Sequence, residues 1–336
     1  MVISNVSFLG QSLAQTSRLK DLNVTLADLT RQLTTRKVHE DMSGLGFAAQ
    51  AVQRYRMNSL RLTTYLDNIS GVTTRIKEMD QAMASSRTMG EQLIEGLTIA
   101  VHGGSEEIPN LAALARDALT FLQDLTNLNI DGRYLFSGSS TTTQPFIDDN
   151  LLNANFQQEM TDWLNGTNST AQLLANVDGF TTTDLGFDPA LSASGNVAVR
   201  VDEHTEIDYT VKADSNGIPD LMRALAFMSN MVAPGGGDVP TDADLQQVLT
   251  QILAIARRGI EDLDTAATSL GSRFNLIKSL EEGHTQDRAT LANLIGEKED
   301  ADTTEVVAQI QSLQTQLQAS YQVTSIISQL SLVNFI

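Results

Sequence analysis

The 336-residue chain contains no cysteine. That absence excludes disulfides, thiolate metal sites and cysteine nucleophiles. Positive charge is scarce: 22 Lys and Arg stand against 41 Asp and Glu, for a formal net charge of -19. Such a chain repels phosphate backbones and anionic lipid surfaces, so neither nucleic acid nor membrane is an expected partner. Long apolar runs are missing too. Ser, Gln and Thr interrupt every stretch before it reaches the roughly 18 apolar residues of a membrane helix. Met1 to Ser17 has neither a basic n-region nor a continuous apolar core, so a secretory signal peptide is not expected and any export would take another route.

What charge there is lies unevenly. Residues 1–66 hold eight bases and four acids, residues 139–239 three bases and fourteen acids, and residues 241–305 six bases and thirteen acids. The N-terminal part and this C-terminal part therefore attract each other. Met1 to Ser17 and Val306 to Ile336 have no charged side chain at all. Desolvating an unpaired charge costs several kcal/mol, on the order of the ion penalties seen in proteins, whereas Gln, Ser and Thr can be buried when hydrogen-bonded. Both ends are composed for close packing.

Leu19, Leu22, Leu26, Leu29 and Leu33 repeat with alternating spacings of three and four, the seam of a coiled coil. After "DMSG", Val52, Tyr55, Leu62, Leu66, Ile69, Ile76 and Met83 predict a very long second helix, broken near "HGGSEEIPN". Helices are also expected over 110–127, 221–231 and 253–295. A final one carries Val306, Ile310, Leu313, Leu317 and Tyr321 into Val323, Ile327, Leu330 and Val333, with its apolar stripe shifting near Ala319. A turn at Asp131–Gly132 precedes a short strand at 133–136. The alternation of Val197, Val199 and Val201 with Thr205, Ile207, Tyr209 and Val211 predicts a hairpin.

The expected fold is mainly α, with long coiled-coil arms from both chain ends and a central β-containing insert. The expected domains are 1–40 with 300–336 as paired terminal helices, 41–138 with 241–299 as a helical bundle, and 139–240 as an acidic, surface-exposed insert. Its return, "APGGGDVP", reads as a flexible segment.

Chemical motifs are weak. "GLGFAA" at 44–49 fits a dinucleotide-binding spacing but lacks the preceding strand, and reads as a small-residue helix start. Asp202, His204, Glu206 and Asp208 could line one strand face and hold a divalent cation, yet alternating carboxylates are usually a solvated sheet face. His39, His102 and His284 lie in separate segments with no zinc-binding spacing and read as surface residues. No nucleophile elbow or P-loop is present, and Trp163 reads as a core or interface anchor. No catalytic residue, cofactor or metal is assigned.

The paired arms, together with "LNIDGRYLFSGSSTTTQPF", "SLGSRFNLI" and "EKEDADTTEVVAQIQSLQTQLQASYQVTSIISQLSLVNFI", resemble the bacterial flagellin superfamily. The "DGRYLFSG" segment and the last residues resemble its hook-associated branch more than flagellins proper. The likeness covers about 1–138 and 241–336, and Arg36 stands where glycine is usual in the family. The resemblance implies a non-enzymatic extracellular protein of the flagellum, exported through the flagellar type III apparatus without a cleaved signal. It would polymerise as a ring between hook and filament, with hook-associated protein, flagellin and an export chaperone as partners. A filament flagellin is the alternative, and a secreted surface adhesin or enzyme a more remote one. The expected assembly interface is Leu19, Leu22, Leu26, Leu29, Leu33, Ile310, Leu313, Leu317, Tyr321, Ile327, Leu330 and Val333.

Overall fold

The computed structural model describes the backbone of residues 2–103, 105–215, 217–232 and 240–333. The described chain is mainly α, as expected, and divides into two compact units: residues 1–63 with 285–336, and residues 64–284.

The first unit contains α1 (Val2–Thr35) and α9 (Thr303–Val333), together with the first part of α2 (Ala48–Gly103) and the last part of α8 (Asp242–Glu299). A 3-10 turn at Met42–Leu45 precedes α2, and Gly46 follows it with φ +52°. No strand leads into "GLGFAA", which is a turn and a helix start.

In the second unit, α2 buries Tyr65, Ile69, Val72, Ile76, Met79, Met83, Ser86, Leu93, Leu97 and Ala100, steps of three and four that keep one face inward. Gly90 falls in the same series. A Cβ there would meet Ile260 Cδ1 at 2.8 Å and Leu221 Cδ1 at 2.9 Å, so both side chains would have to shift to admit one. Arg87 pairs with Asp264 at 3.4 Å, and Tyr65 stacks near His284 with ring centroids 5.8 Å apart. Numbers falling along α2 match numbers rising along α8, so the two run antiparallel here.

Helix α3 (Ile108–Thr126) starts with Pro in its first turn, where a missing N–H costs nothing, and buries Leu111, Ala115, Ala118, Leu119 and Leu122. It packs on α7 (Ile218–Ser229), whose residues are buried on almost every side. Gly217, φ +83°, opens α7 directly over Gly259 of α8. A Cβ on Gly217 would strike the Gly259 carbonyl, so backbone meets backbone at this crossing.

The expected strand at 133–136 is shorter than its sequence suggests. β1 (Asn129–Ile130) pairs antiparallel with β2 (Arg133–Tyr134) around a two-residue turn in which Asp131 and Gly132 both have positive φ. Phe136 leaves the strand to enter the core. The second hairpin is present as β3 (Ala198–Arg200) and β4 (Glu206–Asp208), in register Val199↔Ile207. Val199, Val201, Ile207, Tyr209 and Val211 face inward, as the alternation predicts, whereas Val197 is half-buried and Thr205, where the chain turns, is exposed.

Between residues 139 and 240 there is more helix than the sequence announces. α4 (Asp149–Leu164) is capped by Asp148, α5 (Thr170–Gly179) by a Ser169–Gln172 capping box, and α6 (Ala190–Ala193) is a single turn. These elements share one continuous core with the helices of residues 64–138 and 241–284, including Phe136, Phe156, Trp163, Phe187 and Phe227. Trp163 is a core residue whose indole N–H donates to Thr170 at 3.1 Å. His284 corrects the surface reading of the histidines. It is buried, its Nε2 lies 2.7 Å from the Val201 carbonyl, and it fastens α8 to the end of β3. The return segment 233–239 lies outside the described residues.

Candidate functional site: the paired terminal helices

α1 and α9 pack together. Their direction follows from the connection at one end. Val38 N–H donates to the Glu299 carbonyl at 2.8 Å, Ala301 N–H donates to the Arg36 carbonyl at 3.0 Å, and Lys37 bridges antiparallel to Asp300. α1 arrives at this bridge and α9 departs from it, so the helices run antiparallel. Asp302 caps α9, accepting from Thr304 N–H at 2.9 Å.

The seam that faces within the chain is largely the one read from the leucine repeat. Leu29 is buried, Leu19, Leu22 and Leu26 are half-buried, and Leu33 is open at 37% exposure. On α9, Val306 and Leu317 are buried, and Ile310 and Leu313 are half-buried. The inward face then continues in register through Ser320 and Thr324, both half-buried, while the apolar stripe turns away. Tyr321, Val323 and Ile326 are 53%, 46% and 56% exposed. The side chains of Ile327, Leu330 and Val333 lie outside the described residues.

A charged cluster that periodicity does not reveal closes the end of the seam. The Glu299 side chain is only 8% exposed and accepts two bonds from Arg56 Nη2, at 2.7 and 2.8 Å, and one from Lys37 Nζ at 3.2 Å. Lys37 also reaches Asp300 at 2.6 Å. Hydrogen bonding to Asp300, together with Glu299, holds the Lys37 ammonium above its ordinary pKa. On α1, the Arg31 guanidinium beside Asp28, at 2.7 Å, draws that carboxyl below its ordinary range, and Arg31 also donates to the Val38 carbonyl at 2.9 Å. Arg36, with φ +58°, makes the turn out of α1 in the left-handed region that favours glycine. The only hint of the cluster in the sequence was the opposite charge of the two chain parts.

The paired helices offer apolar and neutral polar surface, closed at one end by this charged cluster. Among the described residues, no three His, Cys, Asp or Glu side chains converge to hold a metal. Of the acidic strand set, Glu206 pairs with Arg200 at 2.9 Å, and Asp208 accepts from Asn196 at 2.7 Å and from Thr210 N–H at 2.8 Å. Asp202 accepts from Glu203 N–H at 2.7 Å, and His204 is exposed. None of the described helices is long and apolar enough to cross a membrane.

Residues 248–336 match the family described as the bacterial flagellin C-terminal helical region. Two solved structures share the fold. One is a Vibrio parahaemolyticus protein assigned as a flagellar hook-associated protein, with a TM-score of 0.54 and 12% identity over 77% of this chain and 98% of that one. The other is Bacillus cereus FlgL, with a TM-score of 0.50 and 14% identity over 72% of this chain and 97% of that one. No curated protein matches significantly in sequence. The C-terminal match and the shared fold together support the resemblance to the bacterial flagellin superfamily.

Proposed function

We propose that this flagellin-superfamily chain is a structural component of the bacterial flagellum, an adaptor that polymerises as a ring where hook meets filament. The observation that carries the proposal is the division of α9. One stripe, from Val306 to Leu317, packs within the chain, and a second, Tyr321, Val323 and Ile326, is presented outward on a segment with no charge from Val306 onward. Apolar, uncharged helix faces left open beside a formed seam suit contacts between identical subunits, where each face is covered by a neighbour. The likeness in fold to hook-associated structures favours the junction over the filament. In that position the chain contacts hook-associated protein on one side and flagellin on the other, outside the cell. It reaches that place through flagellar export, with a chaperone holding the terminal helices.

A filament flagellin is the second reading, favoured by the family that residues 248–336 match. Immunolabelling of purified flagella separates the two. Label confined to a band at the hook end is the expected result, label along the filament identifies a flagellin, and flagella without label overturn both readings.

A further inference from the structure

Away from the terminal helices, an open groove of about 660 Å³ runs between α2 and the edge of β3. Its walls include Asn68 and Arg75 of α2, Arg133 of β2 and the consecutive residues Asn196 to Arg200. We infer that this groove binds an extended acidic segment of a partner protein, which adds to β3 as a third strand while Arg75 and Arg133 hold its carboxylates.

The edge carries the first half of the inference. Tyr209 N–H donates to the Val197 carbonyl at 3.1 Å and Val201 N–H to the Thr205 carbonyl at 3.0 Å, which fixes the odd-numbered residues of β3 as the bonded ones. By the alternation of an antiparallel pair, the N–H and C=O of Ala198 and Arg200 point away from β4. β3 has no other strand neighbour among the described residues. The Asn68 amide donates to the Arg200 carbonyl at 3.4 Å, a long side-chain bond that an added strand would displace. An unpaired edge along an open groove is the geometry in which peptides bind by strand addition.

Charge carries the second half. Arg200 is satisfied by Glu206 at 2.9 Å. Arg75 and Arg133 both line the groove, and neither guanidinium group has an ion pair or hydrogen bond among the described residues. Asp67 is the one carboxylate in the lining, two turns of α2 from Arg75. A strand presents alternate side chains to one side, so carboxylates at every second position of the segment meet the two guanidinium groups, which bind carboxylate in a planar, two-pronged geometry.

The inference is independent of the assembly role and is tested on the full-length chain with a labelled hexapeptide of alternating valine and glutamate, by fluorescence anisotropy at low salt. Saturable binding is expected, and the Arg75→Gln/Arg133→Gln double variant should weaken it by about ten- to a hundredfold, as loss of charged hydrogen bonds does. Ala198→Pro removes only an outward N–H and should lower affinity while leaving the melting temperature unchanged. N-methylation of alternate peptide residues, which deletes backbone donors and keeps the charge, should abolish binding. Absence of saturable binding overturns the inference. So does equal binding by the N-methylated peptide or by a valine–lysine counterpart, or full displacement by equimolar phosphate or an acidic oligosaccharide.

Discussion

Arg56 Nη2 lies 2.7 Å from one oxygen of Glu299 and 2.8 Å from the other, across 243 residues of chain. The carboxylate is nearly buried while the guanidinium is half exposed, so the pair is asymmetric: Glu299 depends on Arg56 and Lys37 more than they depend on it. Arg56→Ala should therefore cost about 1–2 kcal/mol, with the remaining Lys37 contact and solvent limiting the loss. Glu299→Gln should cost less than Arg56→Ala, because it removes the buried charge itself. Chemical denaturation of the purified chain measures both, and the opposite ranking would show that the buried carboxylate is not the vulnerable partner.

Arg36→Gly tests the turn that leads out of α1. A left-handed residue with a side chain is strained by roughly 1–2 kcal/mol, part of which glycine gives back through its freer unfolded state. Stabilisation of about 0.5–1 kcal/mol is expected on these grounds. Thermal melting followed by circular dichroism reads it, and a lower melting temperature would mean that the arginine side chain holds the turn in a way the φ angle does not reveal.

Asp244 links acid stability to a fluorescent reporter. Its carboxylate accepts from Thr241 N–H at 2.9 Å and Thr241 Oγ1 at 2.6 Å, and from Thr170 Oγ1 at 2.7 Å, and Thr170 in turn accepts the Trp163 indole N–H. The Thr241 and Thr170 hydrogen bonds lower its pKa below the ordinary 3.8. A depressed carboxyl contributes stability that is present above the unfolded value and lost as pH falls through the folded one. Trp163 emission should hold steady down to about pH 4 and change below it. In Asp244→Asn that acid-dependent change should shrink, and an identical profile in both proteins would remove Asp244 from the explanation.

The two stripes of α9 make separable predictions. Leu317→Asp puts a carboxylate in the buried seam against α1 and should destabilise the isolated chain by about 3 kcal/mol or more. Tyr321→Asp and Ile326→Asp alter exposed positions and should leave the isolated chain within about 0.5 kcal/mol of the parent. Both outward variants should nevertheless be exported and fail to retain filaments in cells lacking the parent protein. Normal filaments from those variants would show that the outward stripe is not covered by a neighbour.

A charge placed further along the tail extends that test. Leu330→Asp introduces an acid into a segment with no base from Val306 onward to pair with it. Loss of filament retention is expected, read from flagellin released into the medium. Replacing Asp202, Glu206 and Asp208 by serine should leave swimming intact, although loss of the Glu206–Arg200 and Asp208–Asn196 contacts should loosen the β3–β4 hairpin. Non-motile cells from the triple variant would place an assembly contact in the hairpin.

Periodicity alone specified the long helices and the hairpin, because a repeat of three and four or of two fixes which side chains share a face wherever the chain ends up. The leucines from Leu19 to Leu29, the α2 series from Ile69 to Met83 and the alternation around Val199 and Ile207 are all of this kind. The absence of charge after Val306 likewise predicted close packing, and within the chain Val306 and Leu317 of that segment are buried. Tertiary structure decided which faces meet. α4 and α5 are short, and their weakly periodic sequences become helices with the help of caps and a shared core that no local window contains. The apolar shift near Ala319 is visible in the sequence, but only the position of α1 determines that Ser320 and Thr324 turn inward and Tyr321 and Ile326 outward. Nothing in the local sequence pairs Arg56 with Glu299, or buries His284 against the Val201 carbonyl. Those contacts join residues far apart in sequence, and their partners are set by how helices pack rather than by any helix alone.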